Sequence, residues 1–366
     1  MNTARHGIRF VFLWALGLFL LDSGADSHAE DFTIELQLDG RRVAGKPLAW
    51  SRSEVFLLGR DGVLWDFAPT QASNYRKTAS IFRPYTQGEL RGQLMREFGD
   101  GFDVSGTGHY LVVHPAGQRD TWAPRFEELY RSFLHYFTVR GWRPEKLEFP
   151  LVAVVFPRQQ DFVRYAMRDN GQPVPGTLGY YSPVTNRILL YDVTAGKGNQ
   201  ANWHVNADTI IHEATHQTAF NAGVHSRFSM PPRWVAEGLA TMFEAPGVWN
   251  SRRYTALRDR INRGRFTSFR SYAAGRRRDG RLAQFIASDH PFHTDPEGAY
   301  AEAWALTFFL VEKRPRKYID YLRRTTSRPA FRDYQPADRL ADFAEIFGQD
   351  LALLEAHYLR FINQLQ

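Results

Sequence analysis

Apolar and polar positions change their period along the chain, and the changes mark its elements. Phe32–Leu38 alternates apolar with polar residues, as a half-buried strand does. Asp39-Gly40 follows, a two-residue hairpin signal. Val55–Leu58 and Val63–Phe67 flank Gly59-Arg60-Asp61-Gly62, a second hairpin signal. Residues 30–85 therefore predict a small β-rich unit, with no chemical constellation of its own.

From Glu89 onward the period lengthens to that of helices, interrupted by short strands. Glu89–Phe98 predicts a helix capped by Thr86, and Phe102–Val113 a hairpin turning at Ser105–Gly108. Pro124–Val139 carries Phe126, Leu129, Tyr130, Phe133, Leu134 and Phe137 at helical spacing, a core stripe beside which His135 reads as a packed residue. Leu151–Phe156 is continuously apolar and β-branched, the mark of a strand buried on both faces. Gln160–Arg168 reads as a helix, and Gly179–Tyr181 pairs with Arg187–Tyr191 around Ser182–Asn186. Thr194–Val205 is polar and reads as a loop. A helix is predicted over 207–222, with Asn206 or Asp208 as cap and Gly223 as stop. Another is predicted over 232–245, opened by Pro231-Pro232. Gly298–Val311, Lys317–Arg324, Ala337–Phe347 and Leu351–Leu365 complete a helical lobe. The fold class is α+β: residues 86–366 as one domain, with a mixed sheet on one side of the helix at 207–222 and the helical lobe on the other.

That helix carries His212-Glu213-Ala214-Thr215-His216, the pattern H-E-x-x-H. On a helix, positions i and i+4 share a face about one turn apart, so both imidazoles can reach one metal ion. Zinc suits neutral imidazoles in an open, roughly tetrahedral site. Glu213 lies off that face, where it could take a proton from a water on the metal. A third protein ligand is required. A histidine shortly after the motif is one known solution, but those positions are Ala219 and Ala222. The other is a glutamate on the following helix, and Trp234-Val235-Ala236-Glu237-Gly238-Leu239-Ala240 supplies Glu237. Gly238 would allow the two helices to approach closely. Thr241 and Glu244, on the Glu237 face, could orient the ligand imidazoles.

H-E-A-T-H followed by W-V-A-E-G-L-A, with Tyr300-x-x-x-Trp304 further on, resembles the peptidase-MA-like bacterial family of glutamate-type zincins, a domain family of unknown function. The resemblance runs from about Gln87 to the C-terminus. It implies a zincin-like domain, one Zn2+ per chain on His212, His216 and Glu237, Glu213 as general base, and Tyr300 as a donor to the developing oxyanion. A tyrosine merely packed on the metal helix is the other reading of Tyr300. The resemblance also implies that Gly179–Tyr181 or Arg187–Tyr191 edges the cleft and pairs with an extended substrate.

Composition narrows the setting. In 366 residues, 43% hydrophobic and 14% aromatic, there is ample material for a core. Cysteine is absent, which excludes a thiol nucleophile, a cysteine zinc site and a lipid-anchored cysteine. Arg5 and Arg9 precede the apolar run Phe10–Leu21 and then Ser27-His28-Ala29. This reads as a signal peptide over 1–29, cleaved after Ala29, hence an exported, periplasmic or secreted protein. An uncleaved anchor is the competing reading of that run; nothing else predicts an integral membrane protein. The net charge of +7 suits an anionic envelope partner or plain surface charge. Arg252–Arg281, with Arg276-Arg277-Arg278, lacks any nucleic-acid-binding module and reads as a solvated face, or as a patch meeting anionic polymers or peptide carboxylates.

The expectation is a zinc-dependent hydrolase, a peptidase acting on peptide or protein substrates, with no nucleic-acid partner. The alternatives are a non-catalytic zinc-containing envelope-binding or scaffold protein, and a cell-wall peptide amidase. A fourth ligand from His225, His290 or His293 would favour the scaffold.

Overall fold

The structure, a computed structural model, describes residues 31–118, 121–170, 176–194 and 203–365. The predicted signal segment 1–29 and most of the predicted loop over 194–205 lie outside the described residues. Two compact units are present: the first runs to Arg60 and resumes over Trp65–Arg83, and the second comprises Asp61–Leu64 and everything from Pro84.

The first unit is an antiparallel sheet. β1 (Thr33–Leu38) and β2 (Arg41–Trp50) are joined by Asp39 and Gly40, whose φ angles of 49° and 76° are those of a two-residue hairpin turn. β3 (Val55–Gly59), β4 (Leu64–Phe67) and β5 (Ala72–Ala79) complete the order β4-β3-β2-β1-β5. Leu36, Leu38, Val43, Val55, Leu57 and Phe67 form its core. β2 and β5 have no clean alternation; β5 is almost wholly exposed, so pairing with β1 rather than burial holds it extended.

The second unit is mixed α/β followed by helices, so the chain is α+β. Its first elements are α1 (Gln87–Phe98), β6 (Phe102–Gly106), β7 (Tyr110–Pro115), α2 (Ala123–Thr138), β8 (Leu151–Phe156), α3 (Gln159–Asn170), β9 (Gly179–Ser182) and β10 (Arg187–Tyr191). The sheet order is β6-β7-β8-β10-β9. β7, β8 and β10 are parallel, and the two outer strands run antiparallel to their neighbours. Residues of β8 alternate between two cores. Leu151, Ala153 and Val155 pack with Phe126 of α2 and with Ile210, Ala214 and Phe220 of α4 (Trp203–Asn221). Val152, Val154 and Phe156 pack with Leu90 and Leu94 of α1 and with Phe162 of α3. Helices on both faces explain why this strand is apolar throughout.

The helical lobe comprises α5 (Arg233–Phe243), α6 (Pro246–Trp249), α7 (Arg263–Gly275), α8 (Arg281–Ala287), α9 (Pro291–Thr294), α10 (Pro296–Lys313), α11 (Pro315–Thr326), α12 (Pro336–Phe347) and α13 (Leu351–Asn363). α4 is the seam between lobe and sheet. Its Ile211 and Ala219 join the lobe core, while Ile210, Ala214 and Phe220 face the sheet. A helix buried on two sides has no single apolar stripe, so its periodicity is weak.

α4 starts earlier than the sequence reading, and neither Asn206 nor Asp208 is its cap. Asn206 is buried inside the first turns, where its Oδ1 accepts from Val193 N at 3.1 Å and its Nδ2 donates to Asp192 at 2.8 Å. Just beyond the other end, Gly223 takes a φ of +76°, and a Cβ there would sit 2.6 Å from the Glu145 carboxyl. Among the described residues no helix is long and apolar enough to cross a membrane.

The arginine run is only partly a solvated face. Arg276 is half exposed and pairs with Asp295 at 2.9 Å. Arg277 is buried: it meets Glu302 of α10 at 2.9 Å and also pairs with Glu355 of α13. Buried carboxylates from two other helices demand a cation, and their sequence distance hides that demand.

Candidate metal centre

α4 places His212 and His216 one turn apart with their Nε2 atoms 3.2 Å from each other. α5 brings Glu237 opposite them. Its Oε2 lies 3.3 Å from His212 Nε2 and 3.4 Å from His216 Nε2. Among the described residues these three are the one group of histidine, aspartate or glutamate donors close enough to share a cation. Tetrahedral zinc, with ligands at about 2.0–2.2 Å, separates its donors by about 3.3–3.5 Å, which matches this triangle. Two imidazoles with one carboxylate suit zinc, whereas calcium and magnesium take oxygen donors. Glu237 Oε2 is buried without a well-formed hydrogen bond, an orphaned anionic atom that a cation would satisfy.

The electrostatics agree. Burial of His212 disfavours its charge, but the carboxylates of Glu237 and Glu244 beside its two ring nitrogens outweigh it and hold its pKa well above the usual histidine value. Burial of Glu237 disfavours its charge too, yet the two imidazoles hold it well below the usual carboxylate range. The carboxylates of Glu237 and Glu244 thus set a negative potential at the imidazole nitrogens.

Further contacts orient the candidate ligands. His212 Nδ1 lies 2.7 Å from Glu244 Oε1, which fixes the proton on Nδ1 and turns the Nε2 lone pair inward. Glu244 is itself held by Asn262 Nδ2 at 2.6 Å, and that amide also donates to Thr241 O at 2.9 Å. Thr241 takes no part in orienting an imidazole, because its hydroxyl donates back to Glu237 O at 2.6 Å. Gly238 gives close approach to α10 rather than to α4: a Cβ there would lie 2.1 Å from Thr307 Oγ1 and 2.5 Å from Ala303 O.

Glu213 is buried and stands outside the ligand set. Its Oε2 accepts from Tyr181 N of the outer strand β9 at 2.8 Å. Burial raises its pKa above the usual carboxylate value, with His212 and His216 pulling the other way.

Residues 206–332 match a family described as "Protein of unknown function (DUF1570)". That span holds every residue of the cluster and runs from the start of α4 to just beyond α11. Comparison with curated proteins finds no significant match.

Tyr300, in α10, reaches the cluster through a residue that the sequence reading missed. Arg233 Nη2 lies 3.4 Å from Tyr300 Oη, and Arg233 Nε lies 3.6 Å from Glu237 Oε1. Burial, then the charge of Glu237, pushes the Tyr300 pKa up to about 12, so its hydroxyl keeps its proton. The signal for Arg233 was present, since it sits four positions before Glu237 on the same helix face. His225, His290 and His293 are outside the cluster. His290 and His293 are exposed. His225 is buried against Phe220 with both ring nitrogens unpartnered among the described residues, and burial pushes its pKa down to about 3. A cavity of about 630 Å³, lined by Glu127, His135, Trp249 and Arg252 among others, contains none of the cluster residues.

Proposed function

We propose that the chain is a zinc-dependent hydrolase, a peptidase of the glutamate-zincin type related to the peptidase-MA-like family, acting outside the cytoplasm on peptide or protein substrates. The observation that carries this reading is a three-donor cluster with a further carboxylate: His212, His216 and Glu237 lie close enough to share one cation, and Glu213 stands beside them outside that group, its Oε2 held by Tyr181 N. A structural zinc site closes its fourth position with protein and has no use for a base.

His212, His216 and Glu237 would hold the ion, with Glu244 fixing His212. Bound zinc supplies Lewis acidity, enough to bring the pKa of water towards about 7. Glu213 takes a proton from the water that attacks the carbonyl carbon and delivers it to the leaving amine nitrogen as the C–N bond breaks. The Tyr181 N–H holds the Glu213 carboxylate in one rotamer, and Tyr300 keeps a proton to donate to the oxyanion. β9 is the outer strand of its sheet, which fits an extended substrate pairing there. An amidase acting on cell-wall peptides would use the same groups.

The test is metal content and peptide cleavage together. Wild type should hold about one zinc per chain, largely lost in Glu237→Ala. Glu213→Gln should retain zinc while cleavage falls by about 10²–10⁴-fold. Undiminished cleavage by Glu213→Gln would sink the mechanism, and a wild type that takes up no metal would sink the whole reading.

A further inference from the structure

Two guanidinium groups stand around Tyr300, one in a long ion pair with Glu237 and the other with no ion pair among the described residues. Arg233 opens α5, and its backbone N–H donates to Asp289 Oδ1 at 3.0 Å. Its side chain keeps 37% of its accessible surface. Its guanidinium meets Tyr300 Oη at 3.4 Å and Glu237 Oε1 at 3.6 Å, both farther than the ~2.8 Å of a charge-assisted hydrogen bond. Glu237 directs its other oxygen at the imidazoles. Asp289 is spent on a two-pronged pair with Arg339, at 2.8 and 3.0 Å.

Arg265 lies in the first turn of α7, where Asn262 caps the helix by accepting from Arg265 N at 3.1 Å. Asn262 also holds Glu244, so this turn is tied to the cluster. The Arg265 guanidinium carbon is 5.2 Å from the Tyr300 ring centroid, and that of Arg233 is 5.9 Å from the same centroid. No ion pair to Arg265 exists among the described residues. Two positive charges within about 6 Å of one phenol ring make a potential that favours an anion beside it. The planar forks of arginine match a carboxylate edge.

We propose that Arg233, Arg265 and Tyr300 form a carboxylate-binding subsite beside the metal cluster. The favoured substrates then carry a free carboxylate next to the scissile bond, either an acidic side chain or a C-terminal carboxylate. This inference deepens the peptidase reading and rests on it for the word substrate, but the subsite itself is tested by binding alone.

The probes are N-acetylglutamate, N-acetylglutamine, N-acetylglutamate α-amide and N-acetylglutamine amide, titrated calorimetrically into the full chain, metal-free and zinc-loaded. The first three carry a carboxylate and the last carries none. Carboxylate probes should bind about tenfold or more tighter than the uncharged one, the weight of one charge-assisted hydrogen bond, with and without zinc. Whichever of the two monocarboxylates binds better identifies the source as side chain or C-terminus. Arg265→Met should remove most of the preference, Arg265→Lys should restore part of it, and Arg265→Glu should abolish it. Equal binding of charged and uncharged probes to wild type overturns the proposal. So does a preference unchanged in Arg265→Met, or one seen only with zinc, since the carboxylate would then be binding the ion. Carboxylate binding that responds to these variants in a chain that cleaves no peptide would keep the subsite and remove the peptidase reading.

Discussion

Glu244 offers the sharpest test of how the ligands are held. Its carboxylate is 2.7 Å from His212 Nδ1, and both side chains are mostly buried, with 16% and 20% of their surface exposed. Glu244→Ala deletes a charge-assisted hydrogen bond of about 1.5–3 kcal/mol. Residual exposure lets water replace part of it. Orienting partners of ligand histidines typically contribute 10–100-fold to metal affinity, so a weakening of about 1.4–2.7 kcal/mol is expected. Asn262 is not left unsatisfied, because its amide still donates to Thr241 O at 2.9 Å. The change should therefore appear in the metal site and barely in fold stability. Glu244→Gln keeps an acceptor oxygen near Nδ1 and should lose less. The assay is competition for zinc against a chromophoric chelator, with Glu237→Ala as the reference for losing a ligand outright. Zinc affinity of Glu244→Ala within twofold of wild type would refute the reasoning. So would a loss as deep as that of Glu237→Ala, which would make Glu244 a ligand itself.

Two further predictions concern the packing that carries the cluster. Gly238→Ala places a methyl against Thr307 and the Ala303 carbonyl, where α5 crosses α10, and should cost about 1–3 kcal/mol of stability by urea denaturation; a neutral result would mean that the helices separate freely. Arg277→Met leaves Glu302 and Glu355 buried without their shared cation and should cost about 3–5 kcal/mol at neutral pH, against under about 1 kcal/mol for the half-exposed Arg276→Ala. Burial already raises the Glu302 pKa, and removing Arg277 raises it further. A raised folded-state pKa means proton uptake on folding, so the Arg277→Met deficit should shrink as pH falls and widen as it rises through that pKa. A deficit that does not change with pH would show that Glu302 is not the strained group.

How far the residues announced this depends on the range of each interaction. His212 and His216 are fixed by one helical turn, so their shared face, with Glu213 to its side, was legible from spacing alone. Glu237 and Glu244 needed only a second helix returning against the first. β8 declared itself because both its faces are buried, while β2 and β5 did not, since pairing rather than burial holds them. Gly238 was legible as a point of close approach, but its partner was not: Thr307 lies in a helix about seventy positions away. Arg277 read as surface because Glu302 and Glu355, which bury it, come from two later helices. Local period reveals faces, and it is silent on which distant element meets a face.

The helix bearing Glu237 is fixed at three places that involve no metal. At its start the Arg233 N–H is held by Asp289, which Arg339 of α12 clamps through both oxygens. In its middle Gly238 lies against α10. Just past its end Glu244 joins His212 of α4 to Asn262 at the start of α7. Around it, Trp234 stacks on Tyr321 with ring centroids 5.7 Å apart inside a large apolar core. A site assembled in this way does not need the ion to bring its ligands together. Stripping the metal with a chelator should remove only the binding contribution, a few kcal/mol that depends on zinc concentration, and leave one cooperative unfolding transition. Near-ultraviolet circular dichroism, which reports the packing of these aromatics, should be almost unchanged without zinc. Collapse of that signal on chelation, reversed by adding zinc, would put the ion in the structural role familiar from zinc fingers, and the preorganised hydrolase site argued from Glu213 would lose its main support.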